Sequence, residues 1–161
     1  RDYYASRGLG DVYKRQVYPE YLIHWDSPSG KLHIAGQIDL LVKKGNSIII
    51  GDYKTNKKID TKSYFDSKVR SSVKMKFPLN NLDDCNYYHY CLQLSTYAYI
   101  IESYNPDFSI EDLVLVHFDH NDNMTVYHLP YLRKEVERML SYYEKEHLLQ
   151  ERRLKNKRIE Y

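Results

Sequence analysis

Apolar and polar positions alternate loosely from Val17 to Trp25, and Asp26-Ser27-Pro28-Ser29-Gly30 breaks the run, which predicts a strand followed by a turn. Leu32 to Lys43 is the next predicted strand, and Gly45-Asn46 separates it from the apolar Ser47 to Tyr53. A two-residue break of that kind between apolar runs signals a β-hairpin, so three strands are predicted to form a meander. Thr55 to Leu82 has no clean period and is rich in Lys and Ser, as expected of a long loop or a poorly patterned helical excursion. From Asp84 to about Tyr104 apolar and aromatic positions recur at helical spacing, with Asp83 or Asp84 placed to cap and Asn105-Pro106 to stop the helix. Leu113–Phe118 and Met124–Leu129 flank the turn-rich His120-Asn121-Asp122-Asn123, predicting two more strands. Pro130 then opens a charged helix toward Lys155. This order predicts an α/β or α+β sandwich, a mixed sheet flanked by helices.

The hairpin has a chemical consequence. Side chains on a strand alternate with period two, so Asp52 and Lys54 project from one face. With the turn centred on Gly45-Asn46, cross-strand partners have numbers that sum to 91, which sets Asp39 opposite Asp52 with Cβ atoms about 4.5–5.5 Å apart. Facing carboxylates in an apolar hairpin repel and lose hydration, so a positive group must compensate. A hard divalent cation, Mg²⁺ or Mn²⁺, suits two carboxylates, with water and a substrate phosphate completing its shell. Lys54 beside them is then placed to orient a water and stabilise charge on a phosphoryl oxygen. A plain ion pair, in which Lys54 neutralises the aspartates, explains the spacing equally well. Asp60-Thr61-Lys62 and Asp66-Ser67-Lys68 show how cheap the tripeptide is by itself.

Composition narrows the picture. The 161 residues suit one domain, and 42% hydrophobic with 29% charged residues excludes a disordered chain. No run matches a membrane span or a signal peptide, so a cytoplasmic protein without a membrane partner is expected. Two cysteines, Cys85 and Cys91, are too few for a disulfide framework or a four-cysteine cluster and are expected to be reduced and structural. Residues 1–16 are expected to be a non-native leader, since Asp11 to Gln16 reads back as GAT GTG TAT AAG AGA CAG, like a translated transposon-end adapter. The natural domain then runs over 17–161 and lacks something upstream. Setting that leader aside removes Arg1, Arg7, Lys14, Arg15, Asp2 and Asp11 and brings the 24 basic and 22 acidic residues to 20 each. Basicity is therefore local: Lys54, Lys57, Lys58, Lys62, Lys68, Arg70, Lys74 and Lys76 stand against only Asp60 and Asp66 between Tyr53 and Leu82. Such a segment is suited to a phosphate backbone, with Lys57, Lys58 and Lys62 nearest the Asp-x-Lys strand; a solvated loop is the bland alternative. Tyr64, Tyr87, Tyr88 and Tyr90 are candidates to stack bases, although most are expected to pack. The basic end of the last helix, Arg152 to Arg158, suits a helix terminus or tail. A rival metal-like cluster, His117, Asp119, His120 and Asp122, straddles a predicted tight turn.

Three motifs in order resemble the PD-(D/E)xK nuclease superfamily, in particular its RecB-type, lambda exonuclease-like branch, which includes viral, phage and CRISPR-associated members. They are Gly36-x-Ile38-Asp39, Asp52-Tyr53-Lys54-Thr55 and Gln93-Leu94-Ser95-Thr96-Tyr97, within a similarity over roughly residues 17 to 129. The resemblance implies a restriction-endonuclease-like core and a metal-dependent deoxyribonuclease of DNA replication, recombination or repair. It implies Asp39 and Asp52 as metal ligands with the Tyr53 carbonyl as a third, Lys54 as the catalytic lysine, and Gln93 and Tyr97 on a helix face over the site. A cleavage-silent DNA-binding or structural module of the same fold is the alternative, and replication or recombination proteins are possible partners. The branch carries a helical His ahead of its first strand; from Val17 onward only His24 and His33, on predicted strands, stand near that place. Glu20 is the candidate for the acidic residue that some members have there.

Overall fold

The computed structural model describes residues 15–68, 70–121 and 123–159, with side chains to residue 155. Residues 1–14 of the expected leader lie outside the described residues, while Arg15 and Gln16 pair with Lys44 and Lys43. The strands are β1 (Arg15–Asp26), β2 (His33–Lys44), β3 (Ser47–Lys54), β4 (Phe65–Asp66), β5 (Ser71–Ser72), β6 (Ser109–Phe118) and β7 (Met124–His128). Helix α1 (Asn86–Tyr104) lies between β5 and β6, and α2 (Arg133–Ile159) follows β7. Five strands form one mixed sheet in the order β1-β2-β3-β6-β7, the expected α/β class.

Local chemistry sets the meander. Gly45 takes the positive φ of 59° that a tight hairpin needs. The β2–β3 register pairs Val42 with Ile49 and Leu40 with Gly51, so partner numbers do sum to 91. β3 is central, and its Ile48, Ile50 and Asp52 are buried. It pairs in parallel with β6, Asp52 beside Leu115 and Lys54 beside His117. Parallel neighbours need a long crossover, here residues 55–108, which contain the excursion and α1.

The buried side of β2 changes parity in mid-strand. Gly36 and Ile38 face the core, and so does Leu41, three residues after Ile38. The change coincides with Glu20 on β1, whose φ of 51° is left-handed. Such a conformation costs a non-glycine residue roughly 1–2 kcal/mol. Backbone pairing skips Glu20 and Asp39, which stand opposite each other between the pairs Pro19–Leu40 and Tyr21–Ile38.

Helix α1 packs on the sheet and α2 packs on α1, burying Leu94, Ala98, Ile100, Val136 and Leu140 in one core with Ile38, Ile50, Leu113 and Leu115. Ser95, wholly buried, accepts a 2.9 Å hydrogen bond from the Leu132 N–H and so ties α1 to the entry of α2. That helix begins three residues after Pro130, since the Pro130 carbonyl and the Leu132 N–H are both bonded to the Ser95 hydroxyl and the first helical bond runs from the Val136 N–H to the Leu132 carbonyl.

One expectation needs correction. The cap of α1 is Cys85, with no side-chain capping bond, because Asp83 is engaged by Lys74 at 2.5 Å and Asp84 by His89 at 2.8 Å. Of the two forms expected for the excursion the loop is the one found: among the described residues it holds no α-helix but the short β4–β5 pair, anchored by Met75, Leu79 and Leu82 against Leu92 of α1. No helix among the described residues is long and apolar enough to cross a membrane.

Candidate functional site

The acidic pair sits where the hairpin runs out of backbone pairing. The β2–β3 ladder ends at Leu40–Gly51, one row short of Asp39 and Asp52. In that open row the Asp39 carboxylate accepts a 3.0 Å hydrogen bond from the Tyr53 N–H, replacing a ladder bond with a side-chain one. Asp52 is only 3% exposed, at the end of the buried stripe that begins with Ile48 and Ile50. Lys54, next on the same face, brings its ammonium to 2.5 Å from Asp52 Oδ2. That ammonium is the charge that offsets the buried carboxylate.

Burial pushes the Asp52 carboxyl above the ordinary carboxylate range. Lys54 opposes the rise through its hydrogen-bonding contact and its charge, while the neighbouring charge of Asp39 adds to it. The Lys54 ammonium is steadied from its other side by the Tyr90 ring, 5.2 Å from the ring centre.

The helix motif reaches the same place. Gln93 and Tyr97 lie one turn apart on α1, and Gln93 Nε2 donates to the Tyr97 hydroxyl at 3.1 Å. The Tyr97 ring lies flush on β2 at Gly36, where an added Cβ would stand 2.7 Å from Cε1. Glycine is favoured there by close approach, since any side chain has to displace the ring. The three sequence motifs are thus linked in a chain: the first strand motif touches Tyr97, its Asp39 holds the Tyr53 N–H beside Asp52, and Lys54 lies over Tyr90, one turn before Gln93 on the same helix.

Other candidates fall differently. Lys57 and Lys62 are exposed with no ion-pair partner among the described residues, whereas Lys58 is paired with Asp60 at 2.7 Å. Of the tyrosines proposed to stack bases, Tyr64 is exposed, while Tyr87, Tyr88 and Tyr90 pack against the core. Burial pushes the Tyr87 hydroxyl up to about 12 and does the same to the Cys91 thiol, which with Cys85 is free and buried. Glu20 shares the row of Asp39 on β1 but is exposed. Among the described residues no three His, Cys, Asp or Glu side chains converge as a metal-ligand group. In the rival cluster Asp119 is occupied by Asn121 and Asn123 of its own turn, and Asp122 lies outside the described residues.

His117 gains a place that local sequence does not signal. It is buried beside Lys54 through the parallel β3–β6 pairing, and its Nε2 donates to the Asn56 carbonyl at 2.6 Å. That bond fixes the backbone two residues beyond Lys54. Only the non-local strand pairing reveals it.

No protein-family model matches the chain, and no curated protein matches it in sequence. It is similar to the crystal structure of SSO0001, at 17% identity and a TM-score of 0.40, over 75% of this chain and 46% of that one. A likeness at that level carries no argument about activity.

Proposed function

We propose that the chain is a nuclease domain that hydrolyses DNA phosphodiester bonds with a divalent cation, Mg²⁺ or Mn²⁺, in DNA replication, recombination or repair. The observation that carries this reading is a buried carboxylate, Asp52, held beside a second, Asp39, with an ammonium 2.5 Å away. The donor set fits a hard cation: both side chains offer carboxylate oxygen, and Asp52 Oδ2 meets no partner but the Lys54 ammonium. Asp39 and Asp52 would hold the ion, with the Tyr53 carbonyl as a further oxygen. When bound, the ion supplies Lewis acidity and a more acidic water.

The chain's own residues account for the remaining steps. Lys54 is placed to turn from Asp52 toward the phosphoryl oxygen on which charge grows, a stabilisation that is strong at a site screened from water. Tyr90 limits where its ammonium can go. Gln93 and Tyr97 fix α1 over β2, and exposed Lys57 and Lys62 offer charge to the phosphate backbone without reading sequence. The resemblance to RecB-type nucleases supports the same assignment, including a restriction-endonuclease-like core.

Asp52→Asn keeps the shape and removes one charge, so it should abolish cleavage of single- and double-stranded DNA in Mn²⁺ while the far-ultraviolet circular dichroism stays unchanged. Cleavage at the parent rate by Asp52→Asn would reject the nuclease reading. One observation favours a second reading, a cleavage-silent DNA-binding module: the Lys54–Asp52 contact already neutralises the buried charge without any ion. Under that reading the parent protein binds DNA in a salt-dependent manner and yields no products with either metal.

A further inference from the structure

Beside the proposed nuclease site, and sharing one residue with it, is a cleft of about 450 Å³ between the excursion, α1 and α2. Its walls include Met75 and Phe77 of the excursion, Leu92 and Gln93 of α1, and Met139 and Tyr143 of α2. We infer that this cleft receives unpaired bases of a single DNA strand as the strand leads away from the site, so that DNA with an unpaired stretch is the substrate. The inference rests on the nuclease reading for the site itself.

Three observations carry it. First, α1 joins the two places. Tyr90, Gln93 and Tyr97 form the helix stripe over Lys54 and Gly36, while His89, Leu92, Gln93 and Thr96 form the adjacent stripe that floors the cleft. Gln93 lies on the border, bonded to Tyr97 on one side and lining the cleft on the other.

Second, the walls suit flat apolar rings. Phe77 is 67% exposed and Tyr143 49% exposed, too open for a loop and a helix to leave as core. They are linked through Tyr142, whose ring lies edge-on at 5.2 Å to Phe77 and 5.6 Å to Tyr143. Exposed aromatic rings stack on any base, and such stacking does not depend on sequence. A duplex hides its bases in the helix, so only an unpaired strand can use this surface.

Third, the charge is complementary to a polyanion. The excursion forming one wall belongs to the Lys-rich segment in which Lys54, Lys58 and Lys74 are paired with Asp52, Asp60 and Asp83, while Lys57, Lys62, Lys68, Arg70 and Lys76 have no ion-pair partner among the described residues. Lys76 lines the cleft itself and is exposed, and Asp84, the one carboxylate on the lining, is engaged by His89 at 2.8 Å.

The test uses the whole chain in EDTA, where cleavage cannot interfere, and a fluorescent oligothymidylate of about twelve nucleotides, within the site size of single-strand binders. An abasic oligomer of equal length carries the same phosphates without bases. The expected result is a preference for oligothymidylate over the abasic strand of about tenfold or more, as loss of one stacked base implies. Phe77→Ala and Tyr143→Ala should erase that preference and leave abasic binding unchanged, and Phe77→Tyr, which keeps a ring, should retain it. Equal binding of both oligomers by the parent, or an undiminished preference in Phe77→Ala, would overturn the inference. So would a concentration-dependent dimer that Phe77→Ala abolishes while oligothymidylate binding holds, which would give the cleft to a second copy. Loss of the nuclease reading shows separately, as cleavage surviving Asp52→Asn, and does not alter these binding outcomes.

Discussion

Adding one methyl group at Gly36 tests whether the first strand motif and the helix motif form one packed unit. In Gly36→Ala the new Cβ stands 2.7 Å from Tyr97 Cε1, 3.2 Å from the hydroxyl and 3.3 Å from Cζ. Ordinary contact begins near 3.4 Å, so the ring must retreat by about 0.7 Å. The retreat is resisted, because Gln93 holds the hydroxyl and α1 is packed against the sheet along its buried face. Overpacking of this kind costs about 1–3 kcal/mol. The lower entropy of an unfolded alanine returns roughly 0.4–1 kcal/mol, leaving a net loss of about 1–2 kcal/mol. For a domain of this size that lowers Tm by about 2–8 °C. Thermal unfolding followed by circular dichroism measures it. The double variant Gly36→Ala/Tyr97→Leu separates clash from propensity: with the ring gone the methyl group costs nothing, giving a coupling of about 1 kcal/mol or more. A Gly36→Ala protein that melts with the parent, or a strictly additive double variant, would show that Tyr97 does not rest on this strand.

Three further outcomes follow from other contacts. Lys54→Met leaves Asp52 buried without its cation and should cost about 2–3 kcal/mol at neutral pH, less than a wholly buried pair because Lys54 is 24% exposed. A carboxyl held above its unfolded value loses stability as pH rises through the folded value, so urea unfolding of Lys54→Met should show a loss that grows with pH and disappears in Lys54→Met/Asp52→Asn. Ser95→Ala orphans the half-buried Leu132 N–H at the start of α2 and should cost about 1–3 kcal/mol in the same assay, with no loss meaning that the hydroxyl does not join the helices. Lys74 holds the Asp83 carboxyl below the usual range, so its contribution is complete above the unfolded value of about 3.9 and is lost as pH falls through the lower folded value. Nuclear magnetic resonance shifts of Ser72 and Lys74 should therefore move together well below about pH 4, and a midpoint at the unfolded value would refute the pairing.

What sequence alone reveals here is what local rules determine. Gly45-Asn46 fixes the hairpin and with it the row containing Asp39 and Asp52, because a two-residue turn leaves one register. The spacing of Gln93 and Tyr97 places both on one side of α1 for a similar reason. The cap of α1 was misplaced because Asp83 and Asp84 have competing partners, Lys74 and His89, that capping rules do not see. The parity change between Ile38 and Leu41 breaks the period-two pattern itself. His117 joins the site neighbourhood only through a parallel pairing with a strand more than fifty residues earlier, for which no local signal exists.

That distant pairing also bears on synthesis. Ile48-Ile49-Ile50 leaves the ribosome long before β6, its neighbour on one side, has been made. Until residue 117 emerges, this greasy strand can pair only with β2, and its far edge is open to any other nascent chain. Closing so long a loop is slow relative to forming a hairpin. The interval between the two events is when the polypeptide is most prone to aggregate, and chaperone demand should fall sharply once β6 has docked.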